Sequence, residues 1–212
     1  MILPIRILGD PVLKTPAKPV TGFDRKLQRL AADMAETMYD APGVGLAGPQ
    51  VGISLRLFVF DDGETGPLFM ANPELSDPSG EILVDEGCLS IPGPFYPTAR
   101  YERITCRGQD VRGEPFVMTG EGLLARIFQH ETDHLDGRLF IDRLDDEGRR
   151  AVLAELRRLE LGLEEPKRRR LLGRDADPGA DADADPGADA DADPGAIAGA
   201  DPGAIADADA DA

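Results

Sequence analysis

Gln129-His130-Glu131-Thr132-Asp133-His134-Leu135-Asp136-Gly137 is the stretch around which the rest of the chain arranges itself. Upstream of it, Leu123, Leu124, Ile127 and Phe128 recur at helical spacing, and Gly137 stands where a helix C-terminal cap is expected. The pattern predicts a helix from about Thr119 to Leu135. His130 and His134 lie four residues apart on one helical face, so both imidazoles can reach one cation. Glu131, offset by one residue, can stand beside a water that the cation acidifies and accept its proton. These are the chain's only two histidines, and both fall in this motif rather than on an arbitrary surface.

Two more helices flank this one. Leu27, Leu30, Met34 and Met38 give the first a single apolar face; Thr21 or Asp24 can cap it, and Pro42-Gly43 ends it after about Tyr39. The other starts after Asp145 and runs to about Leu161, with Val152, Leu153, Leu156 and Leu159 expected on the core side and Gly162 following. Between the first two helices the pattern is that of strands: Leu55–Phe60, Pro67–Asn72, Glu81–Val84, Tyr101–Cys106 and Pro115–Met118 are short, β-rich and separated by Gly, Pro and Asp. Strands grouped between helices predict an α+β fold with antiparallel sheets packed around the central His-bearing helix.

Two histidines leave a metal site incomplete, because a catalytic site usually has three protein ligands and one open position. Downstream of His134 there is no further histidine, and Glu147 and Glu155 read as helix-surface charges. Upstream, Glu86-Gly87-Cys88-Leu89-Ser90 offers a thiolate, a strong soft ligand, beside a glycine that permits close backbone approach. A free cysteine is most often a small buried apolar residue, and Cys88 becomes a ligand candidate only beside the unfinished pair. A third segment, Gly43-Val44-Gly45-Leu46-Ala47-Gly48-Pro49-Gln50, is glycine-rich but follows a helix instead of opening one, which disfavours a phosphate loop. It reads as a backbone edge that a peptide can approach, with the Gln50 amide nitrogen as a donor.

Together and in this order, Gly43–Gln50, Glu86–Ser90 and Gln129–Gly137 resemble the peptide deformylase family over roughly residues 1–160. The resemblance implies removal of the formyl group from N-formylmethionine at the start of new proteins. It implies one divalent metal, Fe(II) in most members with Zn(II) or other ions possible, on Cys88, His130 and His134. Glu131 is then the general base and later the acid. The Leu89 backbone N–H and the Gln50 side chain form an oxyanion hole. Val44, Gly45, Gly87 and Leu89 line the peptide cleft, with Leu123, Ile127 and Val44 offering apolar surface to the methionine side chain. Two departures stand out: Gly48 replaces a commoner alanine, and Arg126 takes a position that is often apolar. The competing readings are an HExxH metallopeptidase and a non-catalytic, metal-stapled ribosome-binding relative. The first lacks a downstream ligand; the second would be expected to have lost Glu131 or Gln50. Glu86 and Arg100 are an ion-pair candidate that could orient the cysteine loop.

The remaining composition sets the boundaries. The chain carries 23 Lys+Arg and 40 Asp+Glu, a net of −17. Residues 175–212 hold 12 of those acids and no base, so the body is only mildly acidic. A catalytic domain over 1–163, a basic linker over 164–174 and a disordered Asp/Ala/Pro/Gly tail over 175–212 are expected, since the tail's period-eight repeat has too little apolar surface to fold. No apolar run is long enough for a membrane span, the body is not basic enough to favour duplex DNA, and two cysteines make no disulfide framework; a cytoplasmic address is expected. Arg149, Arg150, Arg157, Arg158, Lys167–Arg170 and Arg174 could meet ribosomal RNA phosphates, as the resemblance implies for the C-terminal segment, with the aspartate tail as a tethered competitor.

Overall fold

The protein is described by a computed structural model covering residues 1–163; the expected basic linker and acidic tail lie outside the described residues. The elements follow the order α1 (Arg25–Asp40), β1 (Gly45–Ala47), β2 (Leu57–Asp61), β3 (Pro67–Ser79), β4 (Ile82–Cys88), β5 (Ile91–Arg100), β6 (Arg103–Gln109), β7 (Pro115–Glu121), α2 (Gly122–Leu135) and α3 (Asp146–Glu160). An antiparallel five-stranded sheet runs β1-β2-β3-β6-β7, and β4-β5 form a separate antiparallel pair. This is the α+β arrangement expected from the sequence.

α1 begins where a side chain can satisfy its free N–H groups. Asp24, not Thr21, accepts from the Lys26 and Leu27 amides at 2.9 and 3.0 Å. Its buried face, Leu27, Ala31, Met34 and Met38, packs with Leu46, Leu57 and Val59 on one side of the five-stranded sheet. α2 buries the opposite stripe. Ala125, Ile127 and Phe128 join Phe58, Phe60 and Met70 in a second cluster, where Phe128 meets Phe60 edge-on with centroids 5.3 Å apart. The polar face of α2 turns to β4-β5 through the Glu86–His130 and Arg100–Asp133 contacts. α2 therefore sits between the two sheets, as expected of the central helix. Among the described residues no helix is long and apolar enough to cross a membrane.

Several local expectations differ from the structure, among them β4, expected to end at Val84 but running on to Cys88. α2 starts at Gly122, three residues late, because Thr119–Glu121 continue the β6-β7 ladder and Gly122, at φ +53°, makes the turn into the helix. β3 does not stop at Asn72. Asn72 takes φ +51°, the register shifts between Ala71 and Glu74, and the strand resumes on β6. β5, rich in proline, was not expected as a strand. In a two-stranded sheet each strand has an open side, so prolines can sit without breaking the ladder, and Pro97 pairs opposite Asp85. On α3, capped by Asp145, Val152 is buried and Leu156 and Leu159 half-buried, but Leu153 faces out at 38% exposure.

Candidate active site

β4 ends at Cys88, and Leu89 and Ser90 form the tight turn into β5. The turn aims the Cys88 sulfur at the polar face of α2. Cys88 Sγ lies 3.3 Å from His134 Nε2, and the two histidine Nε2 atoms lie 3.1 Å apart. One ligand atom from each of the three residues falls within 4.8 Å of the others. The helical spacing thus brings the two rings together, and the hairpin delivers the third donor from upstream. Among the described residues, none downstream of His134 joins this cluster.

The electrostatics around these donors are uneven. Burial lowers the affinity of His134 for a second proton, the charge of His130 lowers it further, and His134 stays a neutral donor. Burial acts the same way on His130, but Glu86 and Cys88 outweigh it and raise that ring well above its usual value. Glu86 Oε1 faces His130 Nδ1 at 2.6 Å, which leaves Nε2 for the cluster. Two imidazole nitrogens and one sulfur that converge this closely form an arrangement a cation satisfies. The donor set fits a divalent ion of borderline softness.

Glu131 is 3% exposed, and burial pushes its carboxyl up to about 7. Its Oε2 is buried without a hydrogen-bond partner. The carboxylate rests directly on the Cα of Gly45: an added Cβ there would overlap Glu131 Oε1 and lie 2.8 Å from Cδ. Gly45 belongs to β1, an edge strand of the five-stranded sheet, so the carboxylate lies beside a sheet edge.

Gln50 sits in the 3-10 turn Gly48–Val51 that follows β1 and is 1% exposed. Its Oε1 accepts from the Ala47 N–H at 2.8 Å, and this fixes the amide with Nε2 toward the cluster. Nε2 stands 3.6 Å from Cys88 Sγ and 3.2 Å from Ser90 Oγ. Gly87, in β4, has its Cα against the Phe95 ring, where a Cβ would meet ring carbons at 2.6–2.9 Å. Gly43 lies against Leu89, whose Cδ1 a Cβ would meet at 2.9 Å, so the first and second motifs close on each other. Val44 and Leu123 are half-buried and pack on the cluster that contains buried Ile127. Arg126 keeps its head near β4, donating to the Asp85 carbonyl at 3.3 Å. The residues singled out for the site therefore come from α2, from β4 and its turn into β5, and from β1 with the loop before it and the 3-10 turn after it.

The Glu86–Arg100 pair is present and fully buried. Sequence reasoning missed two of its neighbours. Arg100 Nη1 also donates to Asp133 at 2.7 Å, and Arg143 closes on Asp133 from the other side. Ser90 was missed as well; its N–H points at Cys88 Sγ, 3.4 Å away. Asp133 lay in view inside the His-Glu-Thr-Asp-His motif, whereas nothing in the sequence ties Arg143 to it.

Comparison with known proteins gives the same picture. A family model described as polypeptide deformylase matches residues 2–150. A peptide deformylase from Acidothermus cellulolyticus is 54% identical over 160 residues, covering 75% of this chain and 88% of the relative. The crystal structure of a peptide deformylase from Legionella pneumophila is 44% identical, covers 78% of this chain and 100% of its own, and superposes with a TM-score of 0.73. That of peptide deformylase from Thermus thermophilus is 46% identical, with coverage of 76% and 99% and a TM-score of 0.70. The chain belongs to the polypeptide deformylase family.

Proposed function

We propose that this chain hydrolyses the formyl amide at the N-terminus of formyl-methionyl peptides, releasing formate and a free amino terminus. The observation that carries the proposal is the convergence of Cys88, His130 and His134 beside a buried carboxylate and a fixed amide donor, along a sheet edge. The peptide backbone adds to β1 as a further strand, flanked by Val44 and Gly45 on one side and Gly87 and Leu89 on the other. Leu123, Ile127 and Val44 supply apolar surface for the methionine side chain.

A divalent ion held by Cys88, His130 and His134 would acidify a water and polarise the formyl carbonyl. Glu131 takes a proton from the attacking water as the new C–O bond forms at the formyl carbon. A carboxyl held near neutrality by burial can both accept and return that proton. The developing oxyanion is met by the Gln50 Nε2 donor, whose direction the Ala47 N–H fixes, and by the Leu89 backbone N–H. Removing one such donor costs about 3 kcal/mol of barrier. Glu131 then passes its proton to the amine nitrogen as the C–N bond breaks.

We assign Fe(II) to the site, with Zn(II) as the competitor; a thiolate and two imidazoles accept either ion, and the family resemblance favours iron. Residues 1–163 form the catalytic unit, 164–174 a basic linker and 175–212 an acidic extension. A cytoplasmic address fits the two free cysteines. Docking on ribosomal RNA would use Arg149, Arg150, Arg157 and Arg158 of α3, all exposed, together with the basic residues beyond it. The function is tested by product analysis. A formyl-Met tripeptide should yield formate and intact tripeptide, whereas casein and an acetyl-Met tripeptide should remain uncut. Internal cleavage of casein would favour the metallopeptidase reading.

A further inference from the structure

The reaction as described uses neither Glu86 nor Asp133, yet both carboxylates are buried against the metal-binding cluster, 4% and 5% exposed in their side chains. An ionised carboxylate is costly to bury unless it is paired, and the pairing of these two forms a continuous chain. Arg143 donates from Nε to Asp133 Oδ2 and from Nη2 to Asp133 Oδ1, both at 2.5 Å. Asp133 Oδ2 also accepts from Arg100 Nη1 at 2.7 Å. Arg100 turns its other edge to Glu86, Nε to Oε2 at 2.8 Å and Nη2 to Oε1 at 2.5 Å. The same Glu86 Oε1 meets His130 Nδ1 at 2.6 Å.

This chain runs from the solvent boundary to a metal ligand. The Arg143 side chain is 38% exposed, and that of Arg100 is fully buried. Its members come from four segments: the connection after α2, α2 itself, β5 and β4. Arg100 is shared between two carboxylates, so its plane is fixed only while both partners are fixed. Arg143 supplies two of the three donors that hold Asp133. Without them the Asp133 carboxylate can turn and draw Arg100 toward itself, at the expense of the fork on Glu86. Glu86 is the acceptor that orients the His130 ring and keeps its Nδ1 occupied.

We infer that Arg143 is a positioning residue for the metal ligand His130, acting through Asp133, Arg100 and Glu86. The inference rests on the reading of Cys88, His130 and His134 as ligands. Remote partners of metal-bound histidines typically change metal affinity 10–100-fold. Arg143 stands at the far end of the chain and belongs at the low end of that range.

The test measures Zn(II) affinity of the full chain by competition with a chromophoric chelator, and the Co(II)–thiolate absorption band as a report on ligand geometry. The proteins are wild type, Arg143→Met, Arg143→Lys, Asp133→Asn and the Arg143→Met/Asp133→Asn double variant. Arg143→Met should weaken Zn(II) binding roughly tenfold and shift or weaken the Co(II) band. Arg143→Lys, which keeps the charge but not the fork, should recover part of the loss. On the Asp133→Asn background, Arg143→Met should add almost nothing, because the link is already cut. Wild-type affinity in Arg143→Met, or a loss that adds in full to that of Asp133→Asn, overturns the inference. So does a lowered melting temperature of the metal-free variant with unchanged Zn(II) affinity. If wild type itself holds no Zn(II), the ligand assignment beneath the inference fails instead.

Discussion

Gly45→Ala is the smallest change that separates the carboxylate from the rest of the site. The backbone at Gly45 is compatible with alanine, so the effect is steric alone. The new Cβ would overlap Glu131 Oε1 and sit 2.8 Å from Cδ and 3.0 Å from Cγ. Carbon atoms rest at about 3.5–4.0 Å, so the carboxylate has to retreat by about 1 Å. Glu131 is buried, so the retreat displaces the proposed proton acceptor from its place against Gly45. A misplacement of that size costs on the order of 100-fold in rate. The three atoms nearest the methyl group all belong to Glu131, so metal content should stay at the wild-type level. The assay is formate release from a formyl-Met tripeptide on metal-replete protein, with kcat and KM resolved. A fall in kcat at constant metal content is expected. A kcat within twofold of wild type, with only KM raised, would show that Gly45 serves the peptide edge alone and that Glu131 is not held against it.

Glu131→Gln should keep the metal and lose nearly all turnover, whereas His130→Ala should lose both; metal analysis beside kcat decides it. The Fe(II) form should turn over faster than the Zn(II) form and decay in air; equal turnover after reconstitution under argon, with no decay, would refute the iron assignment. Burial raises the Glu131 carboxyl from 4.5 to about 7 in the folded, metal-free chain. The unfolded chain gives up that proton first, so as pH rises from about 4.5 to 7 this group withdraws about 3 kcal/mol of stability and then levels off. Metal-free Glu131→Gln should lack that loss and melt higher than metal-free wild type at pH 7.5; equal melting curves across this range would show the carboxyl titrating normally. Truncation after Arg174 should tighten ribosome co-sedimentation at low salt, with the gain shrinking as salt rises and kcat/KM on short peptides unchanged; unchanged or weaker binding would remove any role for the tail.

The parts of the fold that were legible in the sequence are those governed by period and local chemistry. His130 and His134 share a helix face because four residues make about one turn, and the stripe of Ile127 and Phe128 dictates which side of that helix meets the large sheet. Cys88 was legible only by default, as the donor available to complete a pair with no third ligand downstream. Its placement depends on a two-residue turn between strands that the sequence only half revealed. β5 was hidden by Pro92, Pro94 and Pro97, residues that argue against a central strand but are harmless in a two-stranded pair. Leu153 follows a helical apolar pattern yet faces outward, since a helix on the periphery buries a narrower stripe than one between two sheets. The Arg143–Asp133–Arg100–Glu86 chain had no signature at all. Ion pairs between residues 10, 33 and 14 positions apart have no period, and only the packing of α2 against β4-β5 brings them together.

The central claim is that one divalent ion on Cys88, His130 and His134, served by Glu131, makes this chain a formyl-peptide hydrolase. It is tested most directly by following metal content and formate release together in anaerobically purified protein, through chelation and reloading. The account predicts one ion per chain, formate release that falls in proportion as the ion is withdrawn, and recovery on reloading. Full formate release from metal-free protein, or a fully loaded protein that releases none, would contradict it.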